Sequence, residues 1–409
     1  MTDSHNTDLF QLWVDGAVSK LPLYRRLCEA AASDPEVADR LLASPDPAQR
    51  LPNLLLAAVH DVVLAADPDP DVAAVSQWYP SVPIVSDISW VREAAPELQA
   101  GDQGVRPVGE GADDPWPYFR RLALEHHGVA EHLATRQTQT NEIGRCATVL
   151  AALNRIALES GRPIGLVEVG ASAGLNLFPD SYSYRYEPES DQLGPSRQPI
   201  EVGTGDGIVL TCRMRGEGRP NLSGAPPRIV SRIGIDLHPI DVTDARQARW
   251  LIACQWPDEP DRVARAVAAI DLARANFDGL GPVVQRGDAV TQAASLVEQV
   301  DPNAVAVVLS TWVQSYLSAD QQQALAESLD VIGQQRDLSF VYAEQPALIP
   351  GLAAMGLVPP QPPGRIEGPV ETGVSALVSV DWRDGERVAH RLANQHPHGR
   401  WMEWLPDPR

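Results

Sequence analysis

Lysine is nearly missing from this chain. Lys20 is the only one, and arginine carries almost all the positive charge. A pyridoxal-phosphate enzyme needs a Schiff-base lysine, and a Walker A loop needs a lysine directly after its glycines. Lys20 stands in "DGAVSKLPLY", which offers neither context, so both classes drop out. Cysteine is scarce as well. Cys28, Cys146, Cys212 and Cys254 are scattered with no C-x-x-C spacing. Reduced thiols are therefore expected, with no metal site and no disulfide framework. No apolar run approaches the ~18 residues of a membrane span. The start, "MTDSHNTDLFQLW", lacks a basic n-region and an apolar h-region. The expectation is a cytoplasmic protein with no membrane partner. Net charge is −21. A nucleic-acid surface needs basic patches that displace counterions, so nucleic acid is not expected as a partner.

What remains is an ordinary globular composition, 44% apolar and 21% charged over 409 residues. That length suggests roughly two to three domains of about 100–200 residues each. Residues 1–160 read as helical. The stretches 48–66, 114–137 and 140–160 repeat apolar residues at three and four. Pro- and Asp-rich joints such as "ADPDPD" separate helical segments. From about 163 the texture changes to short β-rich runs, "IGLVEV", "RIGIDL", "GPVVQRGDA", "AVAVVLST" and "LSFVYAE". Helical stretches lie between the later ones, which implies a parallel sheet with helices on its faces. The pattern is that of an open, doubly wound, Rossmann-like α/β domain over 161–409, preceded by an all-helical domain over 1–160. Residues 181–230 interrupt the alternation and read as an inserted β-hairpin or flap. "ETGVSALVSVDWRDGERVAHRL" predicts a final hairpin turning at "RDG".

The chemistry concentrates in "LVEVGASAGLNL" (166–177). G-x-S-x-G is the nucleophile elbow of a serine hydrolase. Such an elbow needs earlier strands and an oxyanion-hole loop, and the sequence before Ser172 is helical. Asp288 or Asp301 with His390 or His396 would have to complete the triad. An acid-x-G-x-x-x-G turn after the first strand instead fits a nucleotide-type loop. Gly170 permits the turn, and Gly174 lets a following helix approach. Glu168 can accept hydrogen bonds from the loop and from a ligand ammonium. Ser172 and Asn176 are further cofactor contacts in that loop. A second acid, for ribose hydroxyls, is Asp236 at the end of "RIGID", 62 residues after Gly174 rather than the usual ~20. Asp288 in "RGDA" can meet an adenine amino group. A dinucleotide fingerprint would put its third glycine at position 175, where Leu175 stands.

The order E-x-G-x-x-x-G, I-D, G-D-A and a strand ending in "LSTW" resembles class I S-adenosylmethionine-dependent methyltransferases. That resemblance implies S-adenosylmethionine as cofactor, with Ser310 among its contacts, and a small-molecule acceptor. The usual middle glycine of that loop is Ser172 here. A closer resemblance runs through "SPDPAQRLPNLLLAAVHDVVL", "TRQTQTNEIGRC", "VEVGASAGLNL", "SRIGIDLHPIDVTD", "RWLIACQWPDEPDR" and "HPHGRWMEW". Together these are similar to the bacterial domain-of-unknown-function family 2332. That membership implies a helical N-terminal part and a methyltransferase-like C-terminal part, and supplies no substrate.

Further candidates flank the loop. In "QTQTNEIGR", Gln139, Asn141, Glu142 and Arg145 can line the cofactor mouth; alternatively Thr140 is simply a helix N-cap. After the fourth strand, Thr311, Trp312 and Tyr316 are candidates for substrate contact. "LEHHGVAEH" does not match a zinc-helix spacing. Candidate catalytic bases are His238, Asp236 and His396, with Tyr316 a further catalytic candidate. A non-catalytic binding protein on the same fold stays open beside the enzyme.

Overall fold

The structure, a computed structural model, describes residues 4–93, 114–189, 198–222, 224–277, 284–345 and 374–406. Its contacts divide the chain into two units. The first holds the described residues up to Thr140 together with Ile240–Arg274; the second holds Asn141–Pro239 and the described residues after Arg274.

The first unit begins with α1 (Ser4–Asp15), α2 (Pro22–Ala31), α3 (Pro35–Ala38) and α4 (Pro52–Leu64). It continues through α5 (Pro70–Ser76), α6 (Val82–Val85), α7 (Ser89–Glu93), α8 (Trp116–Glu125) and α9 (His127–Thr135). No strand occurs among its described residues. Proline opens α2, α3, α4 and α5, where its missing N–H is no loss. The helix expected across 114–137 breaks at His126, whose Nδ1 accepts from Gly128 N at 3.1 Å and caps α9.

After α10 (Cys146–Ser160), which belongs to the second unit, α11 (Ala245–Ala253) and most of α12 (Pro260–Phe277) return to the first. The sequence had placed them in the α/β part. Their place follows from α4, which is buried at every residue but Asn53. Asp61 of α4 accepts from Arg249 Nε at 3.0 Å, Arg249 Nη2 at 3.1 Å and His132 Nε2 at 2.9 Å. Burial opposes the charge, but these bonds outweigh it and hold the Asp61 carboxyl down at about 2. His60 beside it spans Ser81 Oγ (2.7 Å) and Ala253 O (2.9 Å), and burial lowers its value to about 4.

The second unit is built on a mixed sheet with β1 (Ile164–Val169), β2 (Ser183–Pro188), β3 (Ile200–Val202), β4 (Val209–Arg215) and β5 (Ile229–Asp236). Then come β6 (Val284–Arg286), β7 (Val305–Thr311), β8 (Leu338–Glu344), β9 (Ser375–Arg383), β10 (Glu386–Gln395) and β11 (Trp401–Trp404). Across the sheet the order is β3-β2-β4-β11-β10-β9-β8-β7-β1-β5-β6. The run β6-β5-β1-β7-β8 is parallel throughout. β1, β7 and β8 are buried at every residue, as expected for strands covered on both faces. One face packs on α13 (Ala289–Glu298) and α14 (Ala319–Gly333) through Val167, Val169, Val308, Phe340 and Leu329.

Within 181–230, the strands formed by "YSYRY" and "IVLTCRMR" do not make a hairpin with each other. β2 and β4 run parallel to each other, β3 pairs antiparallel with β2, and β4 joins β11, so the segment extends the sheet edge. Tyr186 ties this edge to α10 by donating to Ala147 O at 2.7 Å. The final hairpin turns at Asp384 and Gly385, with φ of 51° and 81°, the left-handed pair that a tight hairpin demands.

Candidate functional site

Chain order in the sheet reverses between β1 and β7. Within the parallel run the chain builds outward from β1 to β5 and β6, after forming β2–β4 at the far edge, then returns to lay down β7 and β8. In open α/β sheets, ligands bind outside the carboxyl ends of the strands at this point. Here the ends carry Glu168, Thr311 and Glu344, and the turns that follow β1 and β7 meet above them.

The turn after β1 is strained. Gly170, Ser172 and Gly174 have φ of 66°, 53° and 73°. A serine in the left-handed region costs of order 1 kcal/mol, so the surroundings hold it there. Gly170 N and Ala171 N donate to Ile235 O, at 2.8 and 3.1 Å. Ser172 N donates to Asp236 Oδ2 at 2.8 Å, and Leu175 N to Asn141 Oδ1 at 2.9 Å. The amides expected to face a ligand are thus largely spent inside the protein. The expected helix is also absent: Leu175–Leu177 is a single 3-10 turn, because Pro179 and then β2 follow at once. A Cβ on Gly170 would fall on the Val313 side chain, so that side chain already fills the space over the turn.

The acids tell the opposite story. Glu168 is fully buried on the sheet face away from α13. Its Oε1 accepts from Asn176 Nδ2 at 3.2 Å, and its Oε2 has no partner. Burial pushes the carboxyl up to about 8, against pulls from Asn176 and Arg145 and with a further push from Asp236. Asn176 Oδ1 in turn accepts from Cys146 Sγ at 3.4 Å, which ties the loop to α10.

Glu344, at the end of β8, repeats the pattern. Its Oε1 accepts from Val313 N (2.6 Å), Gln314 N (3.1 Å) and Ser310 Oγ (3.3 Å), while Oε2 has no partner. Burial raises this carboxyl to about 7, against those bonds and Arg145. Gln314 Nε2 donates to Ser310 Oγ at 3.2 Å, and its buried Oε1 has no partner. Trp312, with φ 59°, holds the bend after β7 by donating its N–H to Ala343 O at 3.2 Å; its indole Nε1 has no partner.

Two stretches distant in sequence close the site. Asn141, Glu142 and Arg145 sit in the turn before α10, and "HPHG" follows β10. Arg145 Nε donates to Pro397 O at 3.1 Å, and its guanidinium stands 6.0 Å from the Trp312 ring. A Cβ on Gly399 would fall on the Gly144 carbonyl, so the two turns pack backbone to backbone. His396 is buried there, its Nδ1 accepting from His398 N at 2.9 Å. Thr140 is not the cap: Glu142 accepts from Gly144 N at 2.9 Å and caps the turn Ile143–Arg145 instead.

The remaining candidates take other places: Asp236 borders the cluster through Ser172 N, and Thr311 and Tyr316 flank the turn after β7. Asp236 Oδ1 accepts from His238 N at 2.8 Å, and the His238 side chain is exposed. Asp288 caps α13 by accepting from Val290 N at 2.9 Å. Thr311 is buried at the end of β7, and Tyr316 is 73% exposed. Gln139 falls in the first unit, where its backbone meets Cys254. His132 of the "LEHHGVAEH" stretch is occupied with Asp61. Sequence reasoning missed Val313, Gln314 and above all Glu344. Its signal was legible: "LSFVYAE", like "IGLVEV", is an apolar strand carrying one acid near its carboxyl end.

An adenosyl ligand can be tested against these groups. Glu168 Oε2 fits its ammonium, and half-buried Asp236 fits ribose hydroxyls. The turn amides do not offer themselves to its carboxylate. No curated protein matches the chain. One family model does, over residues 15–98 and 89–404, described as an uncharacterised protein conserved in bacteria. With nearly the whole length covered, the chain belongs to that family, DUF2332.

Proposed function

We propose that the α/β unit binds S-adenosylmethionine at the switch point and methylates a small molecule. In this reading the run β6-β5-β1-β7-β8 is a Rossmann-like, methyltransferase-like core, and the helices of the first unit form an accompanying domain. The protein then works in the cytoplasm without a nucleic-acid or membrane partner. One observation carries the proposal: the partnerless Glu168 oxygen, buried beside an E-x-G-x-x-x-G turn at the point where such sheets bind ligands. A buried carboxylate without a counter-charge is costly, and a ligand ammonium removes that cost. Asp236 would hold the ribose hydroxyls. When bound, the cofactor supplies an electrophilic methyl group. The chain's own part is to position donor and acceptor and to keep water out. His396 is buried against the Arg145 turn, whereas His238 and Tyr316 are exposed, so His396 is the candidate base.

Titration calorimetry of the full chain with S-adenosylmethionine and S-adenosylhomocysteine tests the proposal. Binding of either is expected, weakened about tenfold or more by Glu168→Gln. No heat with either ligand in monodisperse protein overturns it. A second reading has its own support. Val313 fills the space over Gly170, which suits a protein that binds a ligand without performing chemistry. Ligand binding with no methylated product from a metabolite extract would select that reading.

A further inference from the structure

The polar atoms left without partners near the end of β8 are mainly acceptors. They are Glu344 Oε2 and Gln314 Oε1, on side chains 0% and 1% exposed. At the same end of the sheet the paired residues Ser375 and Gln395 add a lone hydroxyl and a lone carbonyl oxygen, also buried. Buried acceptors without donors are uncommon, because each forfeits its water without replacement. Glu344 is the extreme case: three donors crowd one oxygen while the other has none. The turn Gln314–Tyr316 passes from 1% to 73% exposure within three residues.

We infer that Glu344 and Gln314 form a second subsite, for the protonated amine or guanidinium of the small-molecule substrate. Such a group brings several N–H donors and one positive charge, which is what one carboxylate oxygen and one amide oxygen lack. Glu168 is the corresponding acid for the cofactor, so the assignment of the amine to the substrate rests on the adenosyl reading. The subsite itself does not. Ser310 bridges Glu344 and Gln314 and so fixes the geometry of both. Trp312 Nε1, a partnerless donor among the described residues, suits an acceptor atom elsewhere on the same substrate.

The test is calorimetric titration of the full chain, without any adenosyl ligand, using 1,4-diaminobutane, guanidine and the neutral 1,4-butanediol. At least one cationic probe is expected to bind, and the diol is not. Glu344→Gln keeps the size of the side chain and an oxygen for the Val313 and Gln314 amides, so it should fold; it is expected to weaken the cation at least tenfold. Gln314→Met is expected to weaken it severalfold. Wild-type affinity should rise about tenfold from pH 6 to pH 8, because Glu344 must give up its proton to hold the cation. No binding by either cation, equal binding by the diol, or unchanged affinity in Glu344→Gln would each overturn the subsite. Because no adenosyl ligand is present, failure of the cofactor reading leaves this result untouched.

Discussion

Replacing Glu168 by glutamine removes a carboxyl that burial keeps protonated up to about pH 8. The variant retains the size of the side chain and an oxygen for Asn176 Nδ2. In the unfolded chain the glutamate ionises near its ordinary value of 4.5. For a group whose folded value is raised, the contribution to stability is whole below the unfolded value and is lost as pH climbs to the folded one. From pH 6 to pH 8 the unfolded chain is ionised at this position and the folded chain is mostly not. Stability then falls by at most 1.36 kcal/mol per pH unit, less as the folded carboxyl nears its midpoint, or about 2 kcal/mol over the interval. Urea unfolding followed by circular dichroism at the two pH values reads this directly. Wild type should lose about 2 kcal/mol more than Glu168→Gln between them. Glu344, raised to about 7, adds to the loss in both proteins and cancels in the comparison. Equal losses would mean that Glu168 ionises in the ordinary range and is hydrated in solution, and the case for a buried cation site would go with it.

Other consequences are open to simpler assays. Val313→Ala uncovers the Gly170 turn and should tighten S-adenosylhomocysteine binding by up to about tenfold in calorimetry; weaker binding would show that Val313 belongs to the ligand's own packing. Arg249→Met leaves the Asp61 charge buried with His132 alone and should destabilise the helical unit by about 3–5 kcal/mol, seen as a lowered transition in scanning calorimetry. Gly399→Ala drives a methyl into the Gly144 backbone at a φ of 70° and should cost about 2 kcal/mol or more, while Gly205→Ala, with open space around it, pays only for its φ of 80°. Ser172 should resist a fluorophosphonate probe, since no helix follows its turn; rapid labelling would revive the hydrolase reading.

Strands β1, β7 and β8 were legible because each is an unbroken apolar run between polar joints, the mark of a strand covered on both faces. The hairpin at Asp384–Gly385 was legible because few dipeptides other than Asp-Gly favour that turn. The 3-10 turn after Gly174 was not, because G-x-x-x-G reports where the backbone bends and says nothing of how far a helix runs beyond it. The pairing of β2 with β4 was hidden too: alternation shows a half-buried strand, and its direction is set by partners elsewhere. In the site, Glu168, Asn141 and Arg145 were found through their setting in the loops. Glu344 was passed over as part of a strand. Gln139 falls in the first unit, and a run of polar residues carries no sign of where one packing unit stops and another starts.

The return of Ile240–Arg274 to the first unit has a consequence for synthesis. The N-terminal helices leave the ribosome without the segment that completes their interior, and Asp61 waits 188 residues for Arg249. Such long-range closure is slow and exposes apolar surface meanwhile. A fragment ending at residue 140 or 160 would therefore be expected to aggregate, whereas a fusion of 1–140 to 240–277 through a short flexible link would carry all the described helices of the unit.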